Sequence, residues 1–477
     1  MSSSRSVSTR RGVALPLLVL TTAQLMLVLD DSIVNIALPT IEEQIGVAPV
    51  ILPWVVNAYI LAFGALLLVG GRAGDILGRR RTLRWGVAVF ILGSLLGGLA
   101  SSASVLILAR AVQGVGAALT APSVLALITT TFTERSVRDK AIAVYGAMSG
   151  VGIILGLLLG GVLTDTVGWR AVFLVNVPIG LAVLAGTTVL PRAAGNGGRL
   201  AGTDGALVTG GMLALVAAIT RFADAGLGES STWALVAAGA ALLAAFVARQ
   251  RRSADPLLPL AIVRDRVRAG AYLTTLLVAV GPMGAFYVVT LYLQHVRDLT
   301  PLQTGLAWLP FAAGIFIGAA AGTAALTRLH RGSVASIGAA AAAVAMAWLS
   351  LIAENVSYWT HLAPAMALLA VGFGATVIAT TQSAVERVDA NDVGVASATL
   401  NAAQQVGVAL GIATLGSVAA AITSGATAAS ADAALIEGYQ GALLVGAVIV
   451  AVGAVIATTM MRASTQASEA GQAAMHG

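Results

Sequence analysis

The chain reads as an all-α polytopic membrane protein, built from two six-helix halves plus two extra central helices, fourteen transmembrane helices in all. Three observations predict this. Its 477 residues are 58% hydrophobic and only 10% charged, with a mean hydropathy of +0.91, whereas soluble chains carry about 25% charged residues. It divides into apolar segments long enough to cross a bilayer as helices, and lipid leaves backbone groups no partner outside their own segment. Finally, with the N-terminus inside, all but four of the 27 Lys and Arg fall in cytoplasmic stretches. Arg170, Arg221 and Arg297 lie outside and Arg110 lies within a span. Shifting the parity by one span inverts that ratio, so an even number of helices with both termini cytoplasmic is expected.

Taken in order, the first six segments cover 14–38, 52–71, 85–102, 104–128, 141–164 and 171–190, and make an N-terminal half, residues 1–190. A polar stretch from Pro191 to Thr203 opens a linker, 191–268, that holds two further spans, 205–222 and 232–249, and ends in a basic segment from Arg249 to Arg268. Six more spans, 269–293, 304–326, 333–353, 362–383, 393–421 and 439–461, form the C-terminal half, 269–461. Residues 462–477 are a cytoplasmic tail. Arg10-Arg11 ahead of an apolar run resembles a twin-arginine export signal, but no small-x-small cleavage site follows and the run continues into Asp30-Asp31.

Composition removes several kinds of chemistry. Cysteine is absent, which excludes disulfides, thiolate metal sites and thiol nucleophiles. His295, His330, His361 and His476 are too dispersed for a metal cluster. The one lysine, Lys140, is not preceded by a phosphate-binding glycine loop, so neither ATP nor another cofactor is expected as a direct energy source. The net charge of +6 resides in short loops between apolar runs, a topology signal rather than a nucleic-acid surface.

What remains is a few polar residues in apolar surroundings. Asp30 and Asp31, near the outer end of the first span, are the acids expected to lie in lipid, where a carboxylate costs roughly 2.5–3.5 kcal/mol. Arg110, in the fourth span, sits at a comparable depth and is placed to pair with one of them. A salt bridge that only fixes helix packing is the competing explanation. The two acids differ by about 100° around a helix. Asp31 aligns with Gln24 and Asn35 on a polar stripe, whereas Asp30 aligns with Leu27 and Val34, so periodicity alone selects Asp31 for the cavity. Tyr59, Gln113, Gln294 and Trp308, with Asn35, are the expected cavity lining. After the second span, Gly71, Asp75, Gly78 and Arg79 have the spacing of a cytoplasmic gate, with glycines for a tight turn and an acid to pair with the arginine. The equivalent place in the second half, Gly322 to Gly332, lacks that acid, so the latch should be asymmetric. Gly152, Gly156 and Gly160, with Gly161 beside them, form a small-residue stripe that lets another helix approach closely and is a candidate hinge.

In this order the motifs LDDSIVNIALP (29–39), GRAGDILGRRR (71–81), LARAVQG (108–114), WRAVFLVNVPIG (169–180), LYLQHV (291–296), PLQTGLAWLP (301–310) and GVASATLNAAQQVGVALG (394–411) resemble the major facilitator superfamily, in its fourteen-span drug:proton antiporter branch. The resemblance implies that Asp30 takes part in proton or substrate binding and that Arg110 belongs to the proton-coupling machinery. That ranking favours Asp30 over the helical stripe, with Asp31 kept as a second candidate. In the fifth span the family's Gly-Pro-x-x-Gly-Gly reads Gly156-Leu157-Leu158-Leu159-Gly160-Gly161, so a kink source is missing. The expected activity is proton-coupled efflux of small lipophilic compounds, cationic ones included, by alternating access across the bacterial cytoplasmic membrane, carried out by a monomer. An uptake symporter for a small nutrient is the alternative. A membrane enzyme or flippase would need a cluster of His, Glu or Ser with a base, which the sequence does not offer.

Overall fold

A computed structural model describes residues 5–461, except 193–194, 196–201, 226–228, 254–255, 259, 387, 389–392 and 429. The expected tail, 462–477, and most of the stretch opening the linker lie outside the described residues.

The N-terminal half holds α1 (Arg5–Ile45), α2 (Pro53–Leu77), α3 (Arg79–Gly98), α4 (Ala103–Thr131), α5 (Arg135–Thr166) and α6 (Arg170–Val189). Between the halves stand α7 (Gly202–Ala225) and α8 (Ser230–Arg252). The C-terminal half holds α9 (Arg266–His295), α10 (Pro301–Ala325), α11 (Arg331–Leu349), α12 (Tyr358–Val385), α13 (Val393–Gly425) and α14 (Ala431–Met460). Thirteen of these are long and apolar enough to span a membrane. The fourteenth, α3, has less apolar length because Arg79, Arg80, Arg81 and Arg84 occupy its first two turns. Arg81 and Arg84 are exposed, while Arg79 and Arg80 donate to the Gly71 and Leu190 carbonyls. This explains why the apolar run begins at 85 although the helix begins at Arg79.

Local chemistry sets the helix starts. Ser102 caps α4, Asp265 caps α9 and Ser430 caps α14, each side chain accepting a backbone N–H of the first turn. Thr300 and Gln303 make a capping box on either side of Pro301, so α10 begins earlier than its apolar run and then breaks at Trp308. Pro39, expected near the end of the first span, lies inside α1, which continues to Ile45.

Glycines set the packing. Gly116 of α4 lies against Phe90 and Gly86 of α3, and Gly70 of α2 lies against Ala118 of α4. Gly314 and Gly318 of α10 meet Ala367 and Val371 of α12 in the second half. The central hairpin α7–α8 is clasped by the Arg249–Asp204 ion pair (2.7 Å). It lies over the seam between α2 and α13, where an apolar cavity of about 310 Å³ is lined by residues of both halves.

The halves also touch directly. Gly416 of α13 faces Pro53 of α2, and Gly161 of α5 faces Pro301 and Leu302 of α10. Gln294 Nε2 donates to the Ile36 carbonyl (3.0 Å), and His295 lies 3.6 Å from Glu42. These contacts gather at the end of the molecule opposite the arginine-rich turn at Gly78.

Candidate functional site

Within the N-terminal half, three helices, α1, α4 and α6, meet at one carboxylate. Asp30 (α1) and Arg110 (α4) are both fully buried and form an ion pair of 2.5 Å. Gln113, one turn after Arg110, donates to Asp30 Oδ1 (2.8 Å) while its Oε1 accepts from Arg110 Nη1 (2.9 Å). Asn176 of α6 adds a second donor to Oδ1 (2.7 Å). Arg110 Nε donates to the Val55 carbonyl of α2 (3.0 Å), and the guanidinium carbon lies 4.4 Å from the Tyr59 ring centre. Ser94 of α3 holds Gln113 in place (2.9 Å). A buried charge pair survives in an apolar interior only when further hydrogen bonds satisfy it. This one has donors on both Asp30 oxygens.

The structure therefore makes Asp30 the acid that faces Arg110. Asp31 points elsewhere. It is partly exposed, and its carboxylate makes no hydrogen bond or ion pair among the described residues. Asn176 and Ser94 were missed by sequence reasoning, although Asn176 sits inside the quoted WRAVFLVNVPIG motif.

The expected cavity lining is placed unevenly. Tyr59 and Gln113 belong to the charged cluster. Asn35 is buried one turn beyond Asp31 and donates to its backbone carbonyl (2.9 Å). Gln294 bridges the halves instead of walling a cavity. Trp308 is a correction. It is fully buried, with its ring edge-to-face on Phe286 and Phe311 and its Nε1 donating to Thr290 (3.1 Å). Its place at the break in α10 seats it in the core of the second half.

The turn after α2 brings Gly71, Asp75, Gly78 and Arg79 together. Gly78 takes φ +91°, a conformation that favours glycine. Arg79 pairs with Asp75 and also donates to the Gly71 carbonyl (2.9 Å). In the second half, Arg331 finds its acid in Glu386 at the end of α12. The arrangement is asymmetric, as the missing acid predicts.

Gly152, Gly156 and Gly160 seat α5 directly on α1, opposite Val28, Ser32 and Ile33, while Gly161 turns toward α10. Without a proline, α5 runs as one helix from Arg135 to Thr166. A Cβ on Gly156 would lie 2.6 Å from the Ser32 Cβ and 3.0 Å from the Leu29 carbonyl, next to the Asp30 backbone. Gly156→Leu should therefore push α1 off α5, at a cost of about 1–3 kcal/mol or more. The expected result is loss of folded protein on size-exclusion chromatography. Gly146→Leu, where nothing lies within 4 Å of an added Cβ, should keep the folded yield.

Comparison with known proteins adds the following. The Major Facilitator Superfamily profile matches residues 20–412. The chain is 41% identical to the puromycin resistance protein pur8 of Streptomyces alboniger, over 95% of this chain and 92% of that protein. It is 36% identical to the cephamycin export protein CmcT of Amycolatopsis lactamdurans, over 85% of each. Among solved structures, a bacterial homologue of the human lysosomal transporter Spinster, inward-facing and unoccupied, superposes with a TM-score of 0.69 at 17% identity, covering 94% of this chain and 97% of that one.

Proposed function

The chain belongs to the major facilitator superfamily, and we propose that it is a proton-driven exporter of small lipophilic drugs or antibiotics, cationic ones included, working by alternating access. Family membership makes it a multi-pass membrane transporter of small molecules and not an enzyme. We place it in the bacterial cytoplasmic membrane with both termini cytoplasmic, on the strength of its Lys and Arg distribution. Relatives named for resistance and export support the outward direction.

The observation that carries the proton coupling is the buried Asp30–Arg110 pair with its amide donors. Adding a proton to Asp30 removes the attraction that holds Arg110 and leaves three donors facing a group with less acceptor capacity. Arg110 also grips α2 through the Val55 carbonyl, so its release would loosen α1, α2 and α4 against one another. A proton entering from outside thus becomes a change in helix packing, and its release inside resets the cycle. The Asp75–Arg79 turn serves as the cytoplasmic latch, and the α5 glycines serve as the surface on which α1 moves.

Everted membrane vesicles test this. With an acid lumen, they should accumulate a fluorescent dye, and a protonophore should abolish the accumulation. Dye movement indifferent to the gradient removes the coupling. Movement in the opposite direction makes the protein an uptake symporter.

A further inference from the structure

We propose that Asp31 is a cargo-binding carboxylate rather than a proton carrier, and that together with Gln24 and Asn35 it forms an acceptor row selecting organic cations with N–H groups, such as amidines and protonated amines. The inference rests on the export reading only in taking the interior between the halves as the path of the cargo.

The geometry starts from α1. Its sides are assigned by what packs on them. Val28, Leu29, Ser32 and Ile33 lie under the glycines of α5. Asp30 points to α4 and α6, and Met26 lies beside Gly180 of α6. Gln24, Asp31 and Asn35 fall within about 40° of one another, along the edge that borders the α5 side, where Gln24 reaches Ser149. The second half approaches α1 through α9 and α10, with Gln294 reaching the Ile36 carbonyl.

The polar atoms on this side share one character. Asn35 is 3% exposed, and its amide nitrogen is spent on the Asp31 carbonyl, which leaves Oδ1 buried without a partner. Gln24 likewise gives its nitrogen to Ser149 of α5 and leaves Oε1 buried and unpartnered. Asp31 brings a carboxylate to which no protein donor is committed among the described residues. Unsatisfied buried acceptors are uncommon and call for an explanation. Two such oxygens, on Gln24 and Asn35, flank the partly exposed Asp31 carboxylate on one helix face, and with the amide donors turned away they fit a ligand that brings the donors itself. The row spans roughly 16 Å from residue 24 to residue 35 at 1.5 Å per residue, long enough for an extended cation to use both ends.

Asp30 cannot take this part, because its oxygens are already held by Arg110, Gln113 and Asn176. Two adjacent acids thus have separate duties, one held inside the N-terminal half and the other offered to cargo.

Equilibrium binding of DAPI, a fluorescent bis-amidine, to the purified full-length protein in nanodiscs tests the inference, with Nile red as a neutral lipophilic comparison. Asp31→Asn should weaken DAPI binding at least tenfold more than it weakens Nile red binding. Asn35→Ala and Gln24→Ala should each cost DAPI several-fold, and Asp31→Glu should restore most of the affinity, which separates charge recognition from misfolding. Equal DAPI affinity in wild type and Asp31→Asn, or parallel loss of both dyes with no rescue by Asp31→Glu, overturns the inference. Binding needs neither a gradient nor a direction, so failure of the export reading in vesicles is scored separately.

Discussion

Replacing Arg110 with alanine is expected to cost both folded protein and all gradient-driven transport. Removing one partner of a buried ion pair leaves the other charge uncompensated, a loss of about 3–5 kcal/mol. Here the abandoned Asp30 has no exposure to water through which to recover. That result alone would not separate machinery from scaffold, since a purely structural bridge fails in the same way. The double variant Asp30→Asn with Arg110→Gln separates them. Exchanging both members of a buried pair for neutral groups is often close to neutral for stability, and Gln113 and Asn176 can still donate to an amide oxygen. The double variant should therefore recover much of the folded yield while remaining unable to accumulate dye against a proton gradient. If it accumulates dye at the wild-type rate, Asp30 and Arg110 are a packing device and the proton is carried elsewhere.

The division of duties on α1 also shows how far the residues could be read before the structure. Span number and halves were legible because apolar length and arginine placement answer directly to the membrane. The identity of the acid facing Arg110 was not. Helical periodicity sees only α1, where Asp31 keeps polar company and Asp30 sits in line with Leu27 and Val34. It is blind to Arg110, Gln113 and Asn176, which arrive from positions 80, 83 and 146 residues away in the chain. The family motif singled out Asp30 for a proton or substrate role, whereas the stripe grouped Asp31 with Gln24 and Asn35. Asn176 escaped notice because a single amide in an apolar run carries no charge to flag it. Trp308 misled for the opposite reason. An aromatic residue within a span suggests a cavity wall, yet here the break in α10 turns Trp308 into the aromatic core with Phe286 and Phe311. The central hairpin gave no sequence signal of its role, and only its position over the seam between α2 and α13 ties it to both halves.

A disulfide across the closed end should stop transport almost completely. The chain contains no cysteine, so Pro53→Cys with Gly416→Cys introduces a single possible pair. A Cβ on Gly416 would lie 3.0 Å from the Pro53 Cγ, close enough for disulfide geometry, in which Cβ atoms stand about 3.5–4.5 Å apart. Pro53 is the first residue of α2 and donates no hydrogen bond, so replacing it removes no helix hydrogen bond. Alternating access requires the two halves to separate at this end in every cycle, and the bond would tie α2 of one half to α13 of the other. Oxidation, followed as loss of free thiols, should abolish more than nine-tenths of dye accumulation, and reduction should restore it. The nearby contacts of Gly161 with Leu302, Gln294 with Ile36 and His295 with Glu42 are non-covalent and part reversibly, so the reduced protein is free to cycle. If the fully oxidised protein still pumps at the reduced rate, the halves do not open at this end. The route from Asp30 to that face of the membrane must then run within the N-terminal half instead of between the halves.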